Sequence, residues 1–315
     1  MEAPADIGQK RDTRKIIQAA MIAFIIVGAG LIGYVLYQRS ASADESSNVA
    51  AIKAGDKVTM NYIGRLPDGR VFDTSILSVA YNDALYQKSL TFTKRANNSY
   101  VPFNMTAGDY GSGGTIKGFA LGVIGLHPGD ESVIDVKPAD GYAVNSAQLK
   151  SGQLVQTLTV LDHLTVEQFL ATFGAEPVSL QIFRQPFWQW DVQVIDVLGD
   201  FVVVKELPYL GQIVYPFGNP NSESNPMGWP VLVEGYDPTA NGGEGVITVR
   251  HELTAADAFE IKGTDIDGQT FILTDVDPDN GTFRIHRSDS QTGYNGELAG
   301  RELFFEVTII KVQSA

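Results

Sequence analysis

Residues 55–75 read GDKVTMNYIGRLPDGRVFDTS, and their pattern decides the fold. An alternating strand runs into a turn at Pro67-Asp68-Gly69, and a second strand ends at Val71-Phe72-Asp73. Proline presets the turn dihedral, glycine supplies a positive φ, and the two strands form a hairpin. Much of the chain beyond repeats the theme: β-branched and aromatic residues alternate in segments punctuated by Gly, Asn and Asp, as antiparallel strands do. From Val192 to Lys205 the runs VQVIDV and FVVVK flank Leu198-Gly199-Asp200, a second hairpin. Helices are few. The clearest covers Thr165 to Phe173, with Val166, Phe169, Leu170 and Phe173 on one face, a Thr165/Gln168 capping box and Gly174 as terminator.

Towards the N-terminus, Ile16 to Gln38 carries no charge, and at 1.5 Å per residue it spans roughly 34 Å, the depth of a hydrocarbon core. Lys10, Arg11, Arg14 and Lys15 precede it, whereas Asp44 and Glu45 follow soon after, so the positive-inside bias leaves the N-terminus cytoplasmic and the bulk of the chain outside. The expected layout is a tail over 1–15, a membrane helix over 16–38 and a linker over 39–51. A cleaved secretory signal is the competing reading, since Ala41-Ser42-Ala43 suits a signal peptidase. Both export the remainder. Beyond residue 39 the chain carries 18 Lys and Arg against 34 Asp and Glu, a surface that repels nucleic acid and anionic lipid. With no cysteine, stability comes from core burial.

Four further segments follow the hairpin in order: PFNMTAG from Pro102, TIKGFALGVIGLHPGDESVIDV from Thr115, PADGYAV from Pro138, and LFFEVTIIKV from Leu303 near the end. The motifs YxGxLxDGxxFD, IxGxxxGVxGxxxGD, a Gly-Tyr after a short loop and a final LxFxVxxxKV strand resemble, in that order, the peptidyl-prolyl isomerases of the FK506-binding protein (FKBP) family. The resemblance covers 52–143 and 296–313. It implies an α+β fold: an antiparallel half-barrel around one short helix, here Lys117 to Ile124, with a large, mostly β insertion over 144–295.

The same resemblance places a pocket between helix and sheet. Asp73, Tyr142, Phe72 and Phe119 fall on its catalytic positions, and Tyr62, Phe103, Thr115, Ile116 and Phe305 on its substrate-binding ones. Phe119 departs from the tryptophan that many members use as pocket floor, and Thr115 from an aliphatic residue. The residue types suit the chemistry. Rotation about an X-Pro bond meets a barrier of ~18–20 kcal/mol because amide resonance is lost, and an apolar aromatic pocket favours the twisted amide without nucleophile, metal or cofactor. On this reading Tyr142 offers its hydroxyl and Ile116 its backbone N–H to the substrate, while Asp73 orients polar contacts. Taken singly, Phe72, Phe103 and Phe305 read as core residues, Asp73 as a turn cap and Tyr142 as a loop anchor. The resemblance implies proline-containing unfolded or nascent exported polypeptides as partners and FK506-like macrolides as ligands. A binding module that has kept the fold without catalysis is the alternative.

Two insertions lengthen the chain. Ile76 to Val101 contains NDALYQKSLTF, which looks like the helical bulge loop of long prokaryotic members. Residues 144–295 stand where some members carry an insert-in-flap domain with chaperone activity, and a loop over 216–230 rich in Pro, Asn, Ser and Gly suggests two subdomains. LTVEQF at Leu164 is echoed by LTAADAF at Leu253, and PYLG at Pro208 by ELAG at Glu297, consistent with a degenerate duplication. Phe183, Phe187, Trp188 and Trp190 cluster densely, either as a sticky surface or as a subdomain core. DVDPDNG from Asp275 resembles a calcium loop but lacks its glycine and closing glutamate, so a hairpin turn is the better reading. His127, His163, His251 and His286 are dispersed, and the glycines from Gly108 to Gly114 lack the strand-turn-helix setting of a dinucleotide site. Asn97, Asn104 and Asn280 head glycosylation sequons.

Overall fold

The computed structural model describes residues 50–111, 114–288 and 295–315. The apolar run from Ile16 to Gln38 lies outside them. Among the described residues no helix is long and apolar enough to cross a membrane.

The opening hairpin consists of β1 (Lys57–Arg65) and β2 (Val71–Thr74). Together with β3 (Phe103–Thr106), β4 (Glu131–Val136) and the terminal strand β17 (Leu303–Gln313) it makes a five-stranded antiparallel sheet ordered β2-β1-β17-β4, in which β3 pairs β1. Alternation dictates the buried face: Val58, Met60 and Tyr62 from β1 meet Leu303, Phe305, Val307 and Ile309 from β17 in one core. Burial of a side chain of this size stabilises by about 1.5–3 kcal/mol. Gly64 is required by close approach, since a Cβ there would stand 2.6 Å from the Phe72 ring.

Two short helices flank the sheet, α1 (Leu77–Ala80) and α2 (Lys117–Gly122). α2 ends before Ile124. A Cβ on Gly118 would lie 2.6 Å from Val136 Cγ1, and one on Gly122 would collide with Ile134. The glycine face therefore lets the helix settle onto β4 and press Phe119 into the core. The stretch 82–92 is not helical: it forms turns and one bridge from Lys88 to Val71. A buried carboxylate, Glu297, fixes that stretch by accepting from Leu90 N at 3.0 Å, Thr91 N at 2.8 Å and Thr91 Oγ1 at 2.6 Å.

The insertion builds three four-stranded antiparallel sheets of one design. A ribbon of β5 (Leu149–Gln153), β6 (Val155–Thr159) and β7 (Leu161–Thr165) comes first, followed by helix α3 (Val166–Phe173), whose capping box and left-handed Gly174 lie where the sequence puts them. Three meanders succeed it: β8 (Ile182–Arg184), β9 (Asp191–Leu198) and β10 (Phe201–Glu206); β11 (Ile213–Val214), β12 (Val231–Asp237) and β13 (Val246–His251); β14 (Lys262–Thr264), β15 (Thr270–Asp277) and β16 (Thr282–Arg287). Each meander gains its fourth strand from the ribbon, β7 beside β10, β6 beside β13 and β5 beside β16. Each middle strand carries one extra residue, Ile195, Glu234 or Thr274, at matching register.

The sequence echo belongs to this repetition, but the repetition is threefold. Thr165 with Gln168 and Thr254 with Asp257 form the same capping box before a meander. Trp190 Nε1 donates to Glu206, and Trp229 Nε1, at the equivalent place in the second sheet, donates to His251 Nδ1 at 3.0 Å. The third sheet substitutes Arg287, which pairs with Asp265 at 2.5 Å and Asp267 at 2.6 Å. Residues 216–230 are no boundary: they connect β11 to β12 within one sheet, and Phe217 and Trp229 are buried in a core shared by all three. Trp190 is buried in that core, with Phe183, Phe187 and Trp188 packed against it, so the aromatic cluster is first of all structural. DVDPDNG forms the β15–β16 turn, where Asn280 donates from its backbone and side chain to Asp277.

Candidate active site

The aromatic residues of the first sheet and α2 converge. Tyr62 stands edge-on to Phe103 at 5.6 Å and to Phe119 at 6.0 Å; Phe119 stacks on Phe305 at 4.3 Å, and Phe72 meets Phe305 edge-on at 5.5 Å. Tyr62, Phe119 and Phe305 are buried, with Phe119 only 3 % exposed. They belong to the core of this sheet, and Tyr62 and Phe119 back the ring of Phe103. Phe103, Thr115, Ile116 and Tyr142 line an open cleft of about 880 Å³ that also touches Lys117 and Gly141. Ile116 is the residue before α2 and has an extended backbone. Phe72 and Asp73 open instead into a neighbouring cavity of about 320 Å³. Tyr142 lines both cavities, is 37 % exposed, and its hydroxyl has no hydrogen-bond partner among the described residues.

Asp73 is the polar centre. Its Oδ2 accepts from the Tyr62 hydroxyl at 2.6 Å, while Oδ1 accepts from the Thr74 backbone at 2.8 Å and pairs with Arg95 Nη2 at 3.2 Å. Burial, reinforced by the adjoining carboxylate, pushes the Tyr62 hydroxyl far above its ordinary pKa, and Arg95 offsets part of that rise. The Tyr142 hydroxyl is raised by burial and then by Asp73. Both tyrosines therefore remain neutral donors near neutral pH. The arrangement offers an aromatic-walled cleft beside one unspent hydroxyl donor, that of Tyr142, while the Tyr62 hydroxyl is spent on a carboxylate held by three partners.

Of the nine expected site residues, Phe103, Thr115, Ile116 and Tyr142 line the cleft and Phe72, Asp73 and Tyr142 the smaller cavity, whereas Tyr62, Phe119 and Phe305 are packed in the core and line neither. Arg95 is the one that sequence reasoning missed. It stands in the insertion, 22 positions beyond Asp73, in a segment without a strand or helix motif, and only the aromatic residues around it hint at a fixed position. The histidines are scattered: His251 is buried in the insert, whereas His127 and His163 sit beside Asp130 and Glu244 at the surface. Among the described residues no three His, Asp or Glu are placed to hold a metal ion.

Residues 49–159 match the family model of FKBP-type peptidyl-prolyl cis-trans isomerase, about a third of the chain. The short-type peptidyl-prolyl cis-trans isomerase of Methanocaldococcus jannaschii is 34 % identical over 98 residues, 31 % of this chain and 55 % of that protein. FK506-binding protein 4 of Chaetomium thermophilum is 31 % identical over 91 residues, 29 % of this chain and 14 % of that protein. FK506-binding protein 3 of Candida albicans is 34 % identical over 93 residues, 30 % of this chain and 16 % of that protein. The chain spans about half the length of the methanogen relative and about a seventh of the fungal ones. The protein carries an FKBP-type domain.

Proposed function

We propose that this FKBP-type domain makes the protein a peptidyl-prolyl cis-trans isomerase. The observation that carries the reading is a cleft walled by Phe103, Ile116 and Tyr142, with the Phe103 ring backed by the buried rings of Tyr62 and Phe119. A proline ring seated there loses water, and the planar amide loses hydration of its polarised carbonyl. The twisted amide, with less charge separation, loses less, so the barrier of ~18–20 kcal/mol falls. The Tyr142 hydroxyl is the donor for a substrate carbonyl, and Asp73 holds Tyr62 in place. No bond is made or broken, and slow X-Pro isomerisation, tens to hundreds of seconds, defines the need.

A protease-coupled peptide assay tests it: acceleration by the wild-type chain and its loss in Phe119→Ser, with the fold retained, supports the isomerase. No acceleration by a folded wild type favours a binding module. Phe119 favours that second reading to the extent that it lacks an indole N–H.

In the wider proposal the protein acts on exported chains at the outer face of a membrane, anchored by Ile16 to Gln38, with FK506-like macrolides as cleft ligands. Fractionation of full-length and Ile16–Gln38-deleted protein tests the anchor. The insert is proposed to hold unfolded clients. Leu198 and Phe201, directly opposed at the tip of the β9–β10 hairpin and each 59 % exposed, support that role. Serine at both positions should lower suppression of aggregation and leave peptide isomerisation unchanged; equal losses would argue against separate roles.

A further inference from the structure

Arg95 is built into its place with unusual care for a residue in an exposed segment. Its backbone N–H donates to the Tyr100 hydroxyl at 2.8 Å, and its carbonyl accepts from the Tyr81 hydroxyl at 3.0 Å. The guanidinium lies 5.0 Å from the Tyr100 ring centre, and Tyr100 is itself propped edge-on against Tyr81 at 6.0 Å. From this cage the Nη2 group reaches Asp73 Oδ1 and the Thr74 carbonyl. All three caging and caged residues come from the insertion between the second and third strands of the FKBP-type domain. The smaller cavity is lined by Thr91, Thr93 and Arg95 together with Phe72, Asp73, Tyr142, Asn295 and Leu298. It meets the main cleft at Tyr142. A chain whose proline sits in the cleft would lay an adjacent side chain there.

We infer that Arg95 is a positioning and specificity residue: it fixes Asp73, and it makes the second cavity accept an acidic side chain next to the substrate proline. The inference rests on the isomerase reading. Asp73 and Arg95 are the only charged residues on that cavity wall among the described residues. Without the guanidinium, Asp73 would stand alone and repel a substrate carboxylate while attracting an ammonium. With it, the wall is balanced, and the planar fork can receive a carboxylate directly.

The test uses the full chain and tetrapeptides bearing Glu, Ala or Lys directly before proline, with a second series bearing them directly after it. Isomerisation is followed by NMR exchange, which needs no protease. Arg95→Gln should lower the ratio of kcat/KM for the Glu peptide to that for the Lys peptide by roughly two- to fivefold, the scale of a partly exposed charge pair. Arg95→Lys should recover part of the ratio. Thr93→Asp, at an exposed position on the same wall, should shift it in the same direction without touching the caged arginine, and decides the matter should Arg95→Gln fail to fold. Acceleration by wild type with an unchanged ratio in these variants in both series would overturn the inference and leave the isomerase standing. A folded wild type that accelerates no peptide would remove both.

Discussion

Asp73 and Tyr62 form a pair whose value is readable from geometry. A hydrogen bond of 2.6 Å to a carboxylate in a part-buried setting belongs to the class contributing about 1.5–3 kcal/mol. Tyr62→Phe should therefore lower stability by about 1–2 kcal/mol in urea unfolding and reduce turnover through a loosened Asp73. Phe119→Ala removes a buried ring stacked on Phe305 and should cost about 3–5 kcal/mol, so the serine and alanine variants need a stability check beside every rate. Two buried residues of the insert make stability depend on pH in opposite senses. Burial raises the Glu206 carboxyl to about 7, opposed in part by the Trp190 indole and reinforced by Asp162. Its neutral form contributes stability that is complete below the ordinary carboxylate range and is lost as pH rises through about 7. Burial lowers the His251 imidazole from 6.5 to about 4, so its contribution is present above 6.5 and is lost as pH falls through about 4. Glu206→Gln keeps an acceptor for Trp190. In urea titrations it should gain on wild type at pH 8 by on the order of 3 kcal/mol and differ little at pH 4; a gain equal at both pH values would refute the assignment.

At the level of elements, the inserted segment after β2 owes its shape to a distant residue. Glu297, approaching from the return to the last strand, is the acceptor for the backbone of Leu90 and Thr91. Glu297→Gln weakens those bonds and leaves a buried amide with an unmet donor, so the segment should loosen. Hydrogen exchange at Leu90 and Thr91 should accelerate by about ten- to a hundredfold, as expected for a loss of about 1.5–3 kcal/mol, while strands β1 and β17 stay protected. The segment had suggested a helix. Its turn geometry follows from pairing with Val71 and with Glu297, neither of which is local. By contrast α3 was legible to the residue, because its cap, apolar face and terminating glycine all lie within ten consecutive positions and act through the backbone alone.

Across the whole molecule the FKBP-type sheet and the insert are clamped by arginines. Arg70 is nearly buried and reaches Asp68 at 2.8 Å, Glu260 at 3.0 Å and the Phe259 carbonyl at 3.0 Å, and Arg301 lies 4.4 Å above the Phe259 ring while pairing with Asp68. Arg70→Ala should lower stability by about 1–3 kcal/mol, since its carboxylate partners keep access to water, and combined with Arg301→Ala should split one thermal transition into two in calorimetry. One transition in the double variant would mean that apolar contact alone couples the parts. From the sequence by itself came the opening hairpin and the single strong helix, because period-two burial, turn chemistry and caps are local or repeat at fixed spacing; the aromatic pocket residues came only through the family resemblance of the four ordered motifs. The sequence also carried a faint repeat, but the number of copies was hidden: what recurs in all three sheets is a register and a bulge, while a tryptophan donor marks only two of them and an arginine pairing the third. Only the tertiary structure decided that 149–165 would lend one strand to each of three meanders, that 216–230 would join two paired strands of one sheet, and that Arg95 would reach Asp73. Those outcomes depend on pairings between distant segments, whose energy is that of matched surfaces and ion pairs and leaves no periodic trace along the chain.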